Sequence, residues 1–218
     1  MSFRLERFFR ENALFFILFA LFMALSSAWV LMMPKGALLL WFSSHRSIAG
    51  DYFFRYATSG GEVVGFLCAL IVLWRINRRW ALALSAMTIA VSLVSNLTKS
   101  LLGQPRPARY FKETGMWKEI VPVPGIQVHE GLSSLPSGHT MAAFAFFSLM
   151  AFCLHDKRLG SILAFSAALV TGISRIYLVQ HFEEDVMLGA AIGIILAMVF
   201  YHLFLPKQDK KLENAGGL

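Results

Sequence analysis

The run ALFFILFALFMALSSAWVLMM, residues 13–33, decides the fold class of this chain. It contains no charged residue, and as a helix it is long enough to cross the roughly 30 Å hydrocarbon core of a bilayer. Arginines precede it, as in a signal peptide, but the run exceeds the about 7–15 apolar residues of an ordinary signal sequence. We therefore expect a retained first membrane span.

The overall composition also indicates a membrane protein. Hydrophobic residues make up 57% of the 218 residues, charged residues make up 15%, and the mean hydropathy is +0.61. A soluble domain usually carries about 25% charged residues. The formal net charge is +7, but the basic residues lie mainly at the ends of apolar runs, where they serve orientation and contact with anionic head groups. We expect an all-α polytopic membrane protein with the bilayer as partner and no nucleic-acid partner; its oligomeric state is left open.

Six apolar runs are candidates for membrane-spanning helices. They are residues 13–33, 61–76, 80–97, 137–154, 160–178 and 185–205. The segment 34–60 is too short and too polar to cross twice. Its apolar and aromatic residues predict a helix that lies in the interface, within the first outer loop, and ends at Gly60 and Gly61.

The distribution of lysine and arginine predicts the orientation. With a cytoplasmic N-terminus, eleven of the 20 basic residues lie inside and nine lie outside. Three of the nine, Lys99, Arg106 and Arg175, belong to the polar clusters described next, which leaves six. The positive-inside rule then places both termini in the cytoplasm of a plasma or inner membrane. Residues 1–206 would form one transmembrane domain, followed by a polar cytoplasmic tail at 207–218.

Three short polar clusters interrupt the apolar sequence between residues 99 and 185. They are Lys99 with Arg106-Pro107, then Pro136-Ser137-Gly138-His139, then Ser174-Arg175 with His181 and Asp185. A charged side chain within a span costs roughly 2.5–3.5 kcal/mol on insertion scales, so such clusters need a functional reason. Because the chain crosses the membrane back and forth, the C-terminal ends of odd-numbered spans and the N-terminal ends of even-numbered spans lie on the same face of the membrane. The three clusters can therefore meet, and the predicted orientation places them at the outer face.

The residue types in these clusters suit a phosphate group. Pro136 can open a helix at its first turn, so that Ser137 and Gly138 offer backbone N–H groups at a helix N-terminus, where an anion is favoured. His181 and Asp185 are four residues apart and would share a helix face, which lets the carboxylate orient the imidazole as a nucleophile.

Charge and proton transfer complete the predicted site. Lys99, Arg106 and Arg175 would neutralise the oxygens of a transferring phosphoryl group. His139 is free to give a proton to the leaving oxygen. The sequence therefore predicts a phosphate-handling catalytic site.

The clusters resemble the signature of the type 2 phosphatidic acid phosphatase (PAP2) superfamily, which reads K-x6-RP, PSGH and SR-x5-H-x3-D. The order and all spacings match. The resemblance implies a six-helix membrane phosphatase that acts on a lipid phosphate at the outer face and needs no metal or other cofactor. It implies His181 as the nucleophile that forms a phosphohistidine, Asp185 as its orienting partner and His139 as the general acid. The implied phosphate-binding residues are Lys99, Arg106, Ser137, Gly138 and Arg175.

Two positions depart from the family pattern. Gln104 stands where many members carry an additional arginine. The absence of that arginine would weaken phosphate binding or retune it for a substrate of different charge. Glu183 and Glu184 replace an aromatic residue and a proline between His181 and Asp185. These carboxylates would either raise the His181 pKa or face water.

The resemblance indicates the type of reaction, but it does not identify the lipid substrate. Undecaprenyl diphosphate is the expected substrate, with phosphatidylglycerophosphate, phosphatidic acid and the phosphates of lipid A as alternatives, and transfer to a second lipid as an alternative to hydrolysis. The three neighbouring cations argue against a metal site formed by His181, Asp185 and His139, because they would repel a metal ion. A transporter would spread its charges through the bilayer depth, whereas here they cluster at one face.

Overall fold

The computed structural model describes residues 2–205, with side chains from Leu5 onward, and within this range it contains helices and no strands. The predicted tail at 207–218 lies outside the described residues. The α-helices are α1 Ser2–Glu11, α2 Ala13–Met32, α3 Ala37–Ser44, α4 Ile48–Ala57, α5 Val63–Ile76, α6 Arg78–Leu102, α7 Pro107–Glu113, α8 Gly138–Cys153, α9 Lys157–Tyr177 and α10 Glu183–Phe204. Two short 3-10 helices are Thr58–Gly61 and Trp117–Glu119.

Each predicted apolar run forms a helix whose ends lie within a few residues of the predicted ones. Among the described residues, four helical segments are long and apolar enough to cross a membrane: α2, α6 with its continuation through α7, α9 and α10. A fifth crossing is possible if α4 and α5, which meet at a 55° bend, form one broken span. Helix α8 has 16 residues and is about 24 Å long, which is short for a crossing. The number of six spans therefore stays a prediction.

Helix α8 is the centre of the bundle. It packs against α10, α9, α6 and α5, and most of its side chains are buried. Phenylalanine rings join it to its neighbours: Phe144 stacks on Phe22 of α2 at 6.0 Å between ring centroids and meets Phe165 of α9 edge-on, also at 6.0 Å. Such ring pairs add about 0.5–1.5 kcal/mol beyond the burial of their area. The N-terminus of α8 is thereby held in the middle of the other helices.

The segment between α2 and α5 differs from the prediction. A single helix was expected across residues 34–60, but the structure has two, α3 and α4, separated by a short break. The break has a local cause, because the hydroxyl of Ser47 accepts a hydrogen bond from the backbone N–H of Gly50 at 3.1 Å and so starts a new helix. The chain then turns through Thr58–Gly61, as the paired glycines predicted. The interfacial position of this segment stays a prediction.

Candidate active site

The second polar cluster forms the N-terminus of α8. Ser137 is the N-cap, and its hydroxyl accepts hydrogen bonds from the backbone N–H of Thr140 at 3.4 Å and from the Thr140 hydroxyl at 2.8 Å. Pro136 lies just before the cap and not in the first turn, which corrects the expected role of this proline. A Cβ on Gly138 would lie 3.0 Å from the Ser95 hydroxyl and 3.4 Å from the Lys99 ammonium. Glycine therefore allows Lys99 to approach the open end of α8.

The third cluster is built around Asp185, the third residue of α10. One of its carboxylate oxygens accepts hydrogen bonds from the Ser134 hydroxyl at 2.5 Å, the Phe182 backbone N–H at 2.9 Å and the His181 Nδ1 at 3.3 Å. His181 lies before the helix begins, so the predicted shared helix face is wrong in detail. The spacing of four instead lets Asp185 cap its own helix and orient the histidine at once.

His181 is held as a neutral imidazole. The side chain is 1% exposed, and burial lowers its pKa to about 3, although the hydrogen bond to Asp185 acts in the opposite direction. With Nδ1 directed at the carboxylate, Nε2 keeps its lone pair. A neutral imidazole with a free nitrogen and an orienting carboxylate has the properties of an activated nucleophile.

The turn that delivers His181 is tightly constrained. The backbone N–H groups of Gln180 and His181 both donate to the carbonyl of Arg175, at 2.9 and 3.2 Å. Val179 has a φ of 57°, a left-handed conformation that β-branched residues rarely adopt. Such conformations persist where surrounding contacts impose them, and they are frequent at functional sites.

Arg106 and Arg175 lie within electrostatic range of this histidine, and Lys99 lies near both arginines. Arg106 precedes α7 and donates to the backbone carbonyl and side-chain oxygen of Gln180, at 3.4 and 3.3 Å. Burial lowers the pKa of Arg106, while the nearby Asp185 acts in the opposite direction. Lys99 lies within electrostatic range of Arg106, Arg175 and Asp185.

Arg175 is the most deeply placed of the cations. It is 7% exposed, and its Nη1 donates to the Thr58 hydroxyl at 2.6 Å. Its Nε is buried with no hydrogen-bond partner among the described residues. A buried guanidinium with an open donor is suited to bind an anion.

His139 lies at the edge of the cluster. Its Nε2 is 2.8 Å from a carboxylate oxygen of Glu62, and the ring is within electrostatic range of Arg175 and Lys99. A cavity of about 390 Å³ between α5, α6 and α8 reaches His139 and Gly138, and Val63, Phe66 and other apolar side chains line much of it.

The structure thus brings the eight predicted site residues into one neighbourhood; their individual roles are proposals. Residues that were not predicted from the sequence also contact them, among them Thr58, Glu62, Ser134 and Gln180. The only sequence signal for Glu62 is its place after the glycine pair, and the other three carry none. The described residues contain no group of three or more His, Cys, Asp or Glu side chains placed to hold a metal ion.

The positions that depart from the family pattern are now located. Glu183 is 7% exposed and lies against Trp29 and Leu38, and Glu184 pairs with Lys35 at 2.6 Å. Neither carboxylate is among the groups that act on the His181 pKa, so the expectation that they raise it was wrong. The expectation that they face water was wrong for the buried Glu183, whereas the Glu184 side chain is 34% exposed. Gln104 is exposed, and its backbone carbonyl accepts from the N–H of Ser134 at 3.1 Å.

A sequence model of the PAP2 superfamily matches residues 80–209, which include all three polar clusters. The chain belongs to the PAP2 superfamily. The match covers more than half of the sequence and confirms the family that the spacing of the clusters indicated.

Individual relatives are more distant. The chain is 32% identical over 126 residues to a lipid A 1-phosphatase of Rhizobium johnstonii, an alignment that covers 56% of this chain and 48% of the relative. The chain spans about half the length of the curated relatives it matches.

Two solved structures share the fold. Aquifex aeolicus LpxE superposes with a TM-score of 0.63 at 24% identity, over 79% of this chain and 98% of that one. A transmembrane PAP2-type phosphatidylglycerolphosphate phosphatase of Bacillus subtilis superposes with a TM-score of 0.58 at 23% identity, over 89% and 96%. The likeness to a transmembrane structure and the apolar helices identify this chain as a membrane protein of the same fold.

Proposed function

We propose that this protein is a membrane lipid phosphatase that hydrolyses a phosphomonoester or diphosphate through a phosphohistidine. One observation carries the proposal: a buried, neutral His181, oriented by Asp185, lies within electrostatic range of Arg106 and Arg175, and Lys99 lies within range of both arginines. Nucleophile and counter-charges for a phosphoryl group are thus assembled in one site.

The first chemical step forms the phosphohistidine. His181 Nε2 attacks phosphorus, and the bond from phosphorus to the lipid oxygen breaks with its electron pair on that oxygen. The oxygen takes a proton from His139 and leaves as a lipid alcohol or, from a diphosphate, as a lipid monophosphate. The three cations stabilise the charge on the phosphoryl oxygens, with the backbone N–H groups at the start of α8.

The second step restores the enzyme. A water molecule attacks phosphorus, its proton passes to the now neutral His139, and the bond from phosphorus to His181 Nε2 breaks. Inorganic phosphate leaves, and both histidines return to their starting states. No metal is required by these steps, and we propose metal-independent catalysis.

The apolar surroundings support a lipid substrate. The cavity between α5, α6 and α8 joins the site at His139, and its lining combines polar side chains with the apolar Val63, Phe66 and Phe146, which suit a hydrocarbon chain. We propose undecaprenyl diphosphate as the substrate, with the alternatives of phosphatidylglycerophosphate, phosphatidic acid and lipid A phosphate. The named activities of the relatives support including lipid A and phosphatidylglycerophosphate among them.

The proposal includes a membrane arrangement. Six spans in the plasma or inner membrane would leave both termini, and the tail at 207–218, in the cytoplasm. The site would face the periplasm or exterior, near the outer head groups. The excess of basic residues on the predicted inner loops supports this orientation.

Purified protein in detergent tests the function with the four lipids as a panel. We expect phosphate release from at least one lipid, unchanged by EDTA, and loss of release in His181→Ala. No release from any lipid, or equal release by His181→Ala, would overturn the enzyme proposal. Loss in EDTA that zinc restores would overturn metal independence.

A labelled donor with an added acceptor lipid separates hydrolysis from phosphotransfer. Label in inorganic phosphate supports hydrolysis. Label in the acceptor lipid identifies a phosphotransferase that uses the same phosphohistidine.

A further inference from the structure

A turn outside the region matched by the family reaches the site from α4 and α5. Residues 58–62, with the sequence TSGGE, comprise the 3-10 helix Thr58–Gly61 and the N-cap of α5, and we call them the 58–62 turn. Its first residue accepts a hydrogen bond from Arg175 at 2.6 Å, and its last residue, Glu62, lies 2.8 Å from His139 Nε2. One short segment therefore contacts both a predicted phosphate-binding cation and the predicted general acid.

The glycines allow this turn to touch the neighbouring helices directly. A Cβ on Gly61 would overlap the backbone of His139, and a Cβ on Gly60 would overlap the Thr171 hydroxyl of α9. Larger residues would hold the turn away from α8 and α9. The close approach places the Glu62 carboxylate beside the first turn of α8.

The charges around His139 give this contact a chemical consequence. An imidazole that acts as a general acid carries a positive charge before it donates, yet burial of the ring opposes that charge, and so do the nearby Arg175 and Lys99. Glu62 is the carboxylate that acts on the ring in the opposite sense. Its bond to Nε2 also leaves Nδ1 as the ring nitrogen available to a substrate.

We propose that Glu62 is a positioning residue for His139: it holds Nε2, stabilises the imidazolium and directs Nδ1 at the leaving oxygen. This inference rests on the proposed function, because it concerns proton transfer to the leaving group. The arrangement corresponds to that of Asp185 and His181, so each histidine of the site has its own carboxylate.

The test uses the full-length protein and two leaving groups. The alkoxide released from a lipid phosphomonoester is a poor leaving group that needs a proton, whereas p-nitrophenolate leaves well without one. With the best phosphomonoester lipid of the panel, we expect Glu62→Gln to lower kcat by about 10- to 100-fold with little change in KM, since general acid catalysis contributes about 10²–10⁴-fold and Glu62 acts on it indirectly. With p-nitrophenyl phosphate, we expect a less than about threefold change, since proton donation contributes little to its departure.

Two variants serve as references. Glu62→Asp should recover part of the kcat, because the charge is kept and only the reach is shorter. Glu119→Gln, at an exposed glutamate in the 3-10 helix Trp117–Glu119, should behave as wild type. Thermal unfolding in detergent reports whether each variant is folded.

The outcomes are distinct. A wild-type protein with no turnover of any lipid would overturn the proposed function and this inference with it. An active wild type with an unchanged Glu62→Gln would overturn this inference alone. Equal losses on both leaving groups, or a Glu62→Gln and Glu62→Asp pair that both fail to fold, would assign Glu62 to the structure of the turn and would equally overturn it.

Discussion

The backbone N–H of Ser137 donates a hydrogen bond to the backbone carbonyl of Asp185 at 3.0 Å. This bond joins the N-cap of α8 to the first turn of α10, residues that are 48 positions apart in sequence. It places the open N–H groups of α8 beside the residue that orients His181. The proposed anion site and the proposed nucleophile are therefore aligned by the backbone itself.

Replacing Asp185 by asparagine tests the orientation of His181. The amide has a similar shape, but it lacks the charge that stabilises the ring and it can favour the wrong tautomer. We expect kcat on the best lipid substrate to fall by about 10²–10⁴-fold with KM little changed. Steady-state phosphate release measures this, with the exposed Glu119→Gln as control. A kcat within twofold of the wild type would contradict the assigned role.

The protonation of His181 gives a pH prediction. Its folded pKa of about 3 lies below the unfolded value of about 6.5, so the unfolded chain takes up this proton first as the pH falls. The stability that depends on neutral His181 is complete above about pH 6.5 and decreases as the pH approaches about 3.

Histidine side-chain ¹⁵N NMR measures this titration directly, with His181→Asn to assign the signals. We expect the His181 ring to remain neutral at pH 5 in the folded protein. An imidazolium spectrum for His181 at pH 6 would show that burial does not control its charge.

A lysine at position 175 tests the guanidinium. Arg175 donates to Thr58 and has a further buried donor, and an ammonium cannot match both directions. We expect Arg175→Lys to reduce kcat/KM by about 10²–10³-fold, comparable with loss of a donor that stabilises transition-state charge. Arg109→Lys is the matched control, because Arg109 forms an exposed pair with Glu113. Equal activities of the two variants would show that charge alone is sufficient at position 175.

Cysteine labelling tests the proposed orientation. In a background with Cys68→Ala and Cys153→Ala, a cysteine is placed at exposed Lys118, in the 3-10 helix Trp117–Glu119, or at exposed His155, between α8 and α9. A membrane-impermeant maleimide applied to intact cells should label Lys118→Cys, and His155→Cys only after permeabilisation. The reverse pattern would place the site on the cytoplasmic side.

Local features of the sequence were sufficient to predict much of the fold and most of the residues of the candidate site. Apolar runs and the polar breaks between them predicted the long helices, because the length and apolar character of a run are local properties of the sequence. The spacing of His181 and Asp185 predicted their pairing because both lie within one turn of chain. The same reasoning missed the break between α3 and α4, where the hydroxyl of Ser47 caps a new helix.

What the sequence by itself determined was the helical membrane class, the family and the residues that come together. Tertiary structure decided their partners: Ser134 for Asp185, Gln180 for Arg106, and Glu62 for His139. It also placed the Glu183 carboxylate in a buried position against Trp29 and Leu38. The spacing of hydrophobic residues and of motif residues is a property of nearby positions in the sequence, whereas these contacts depend on how closely the helices and their turns pack.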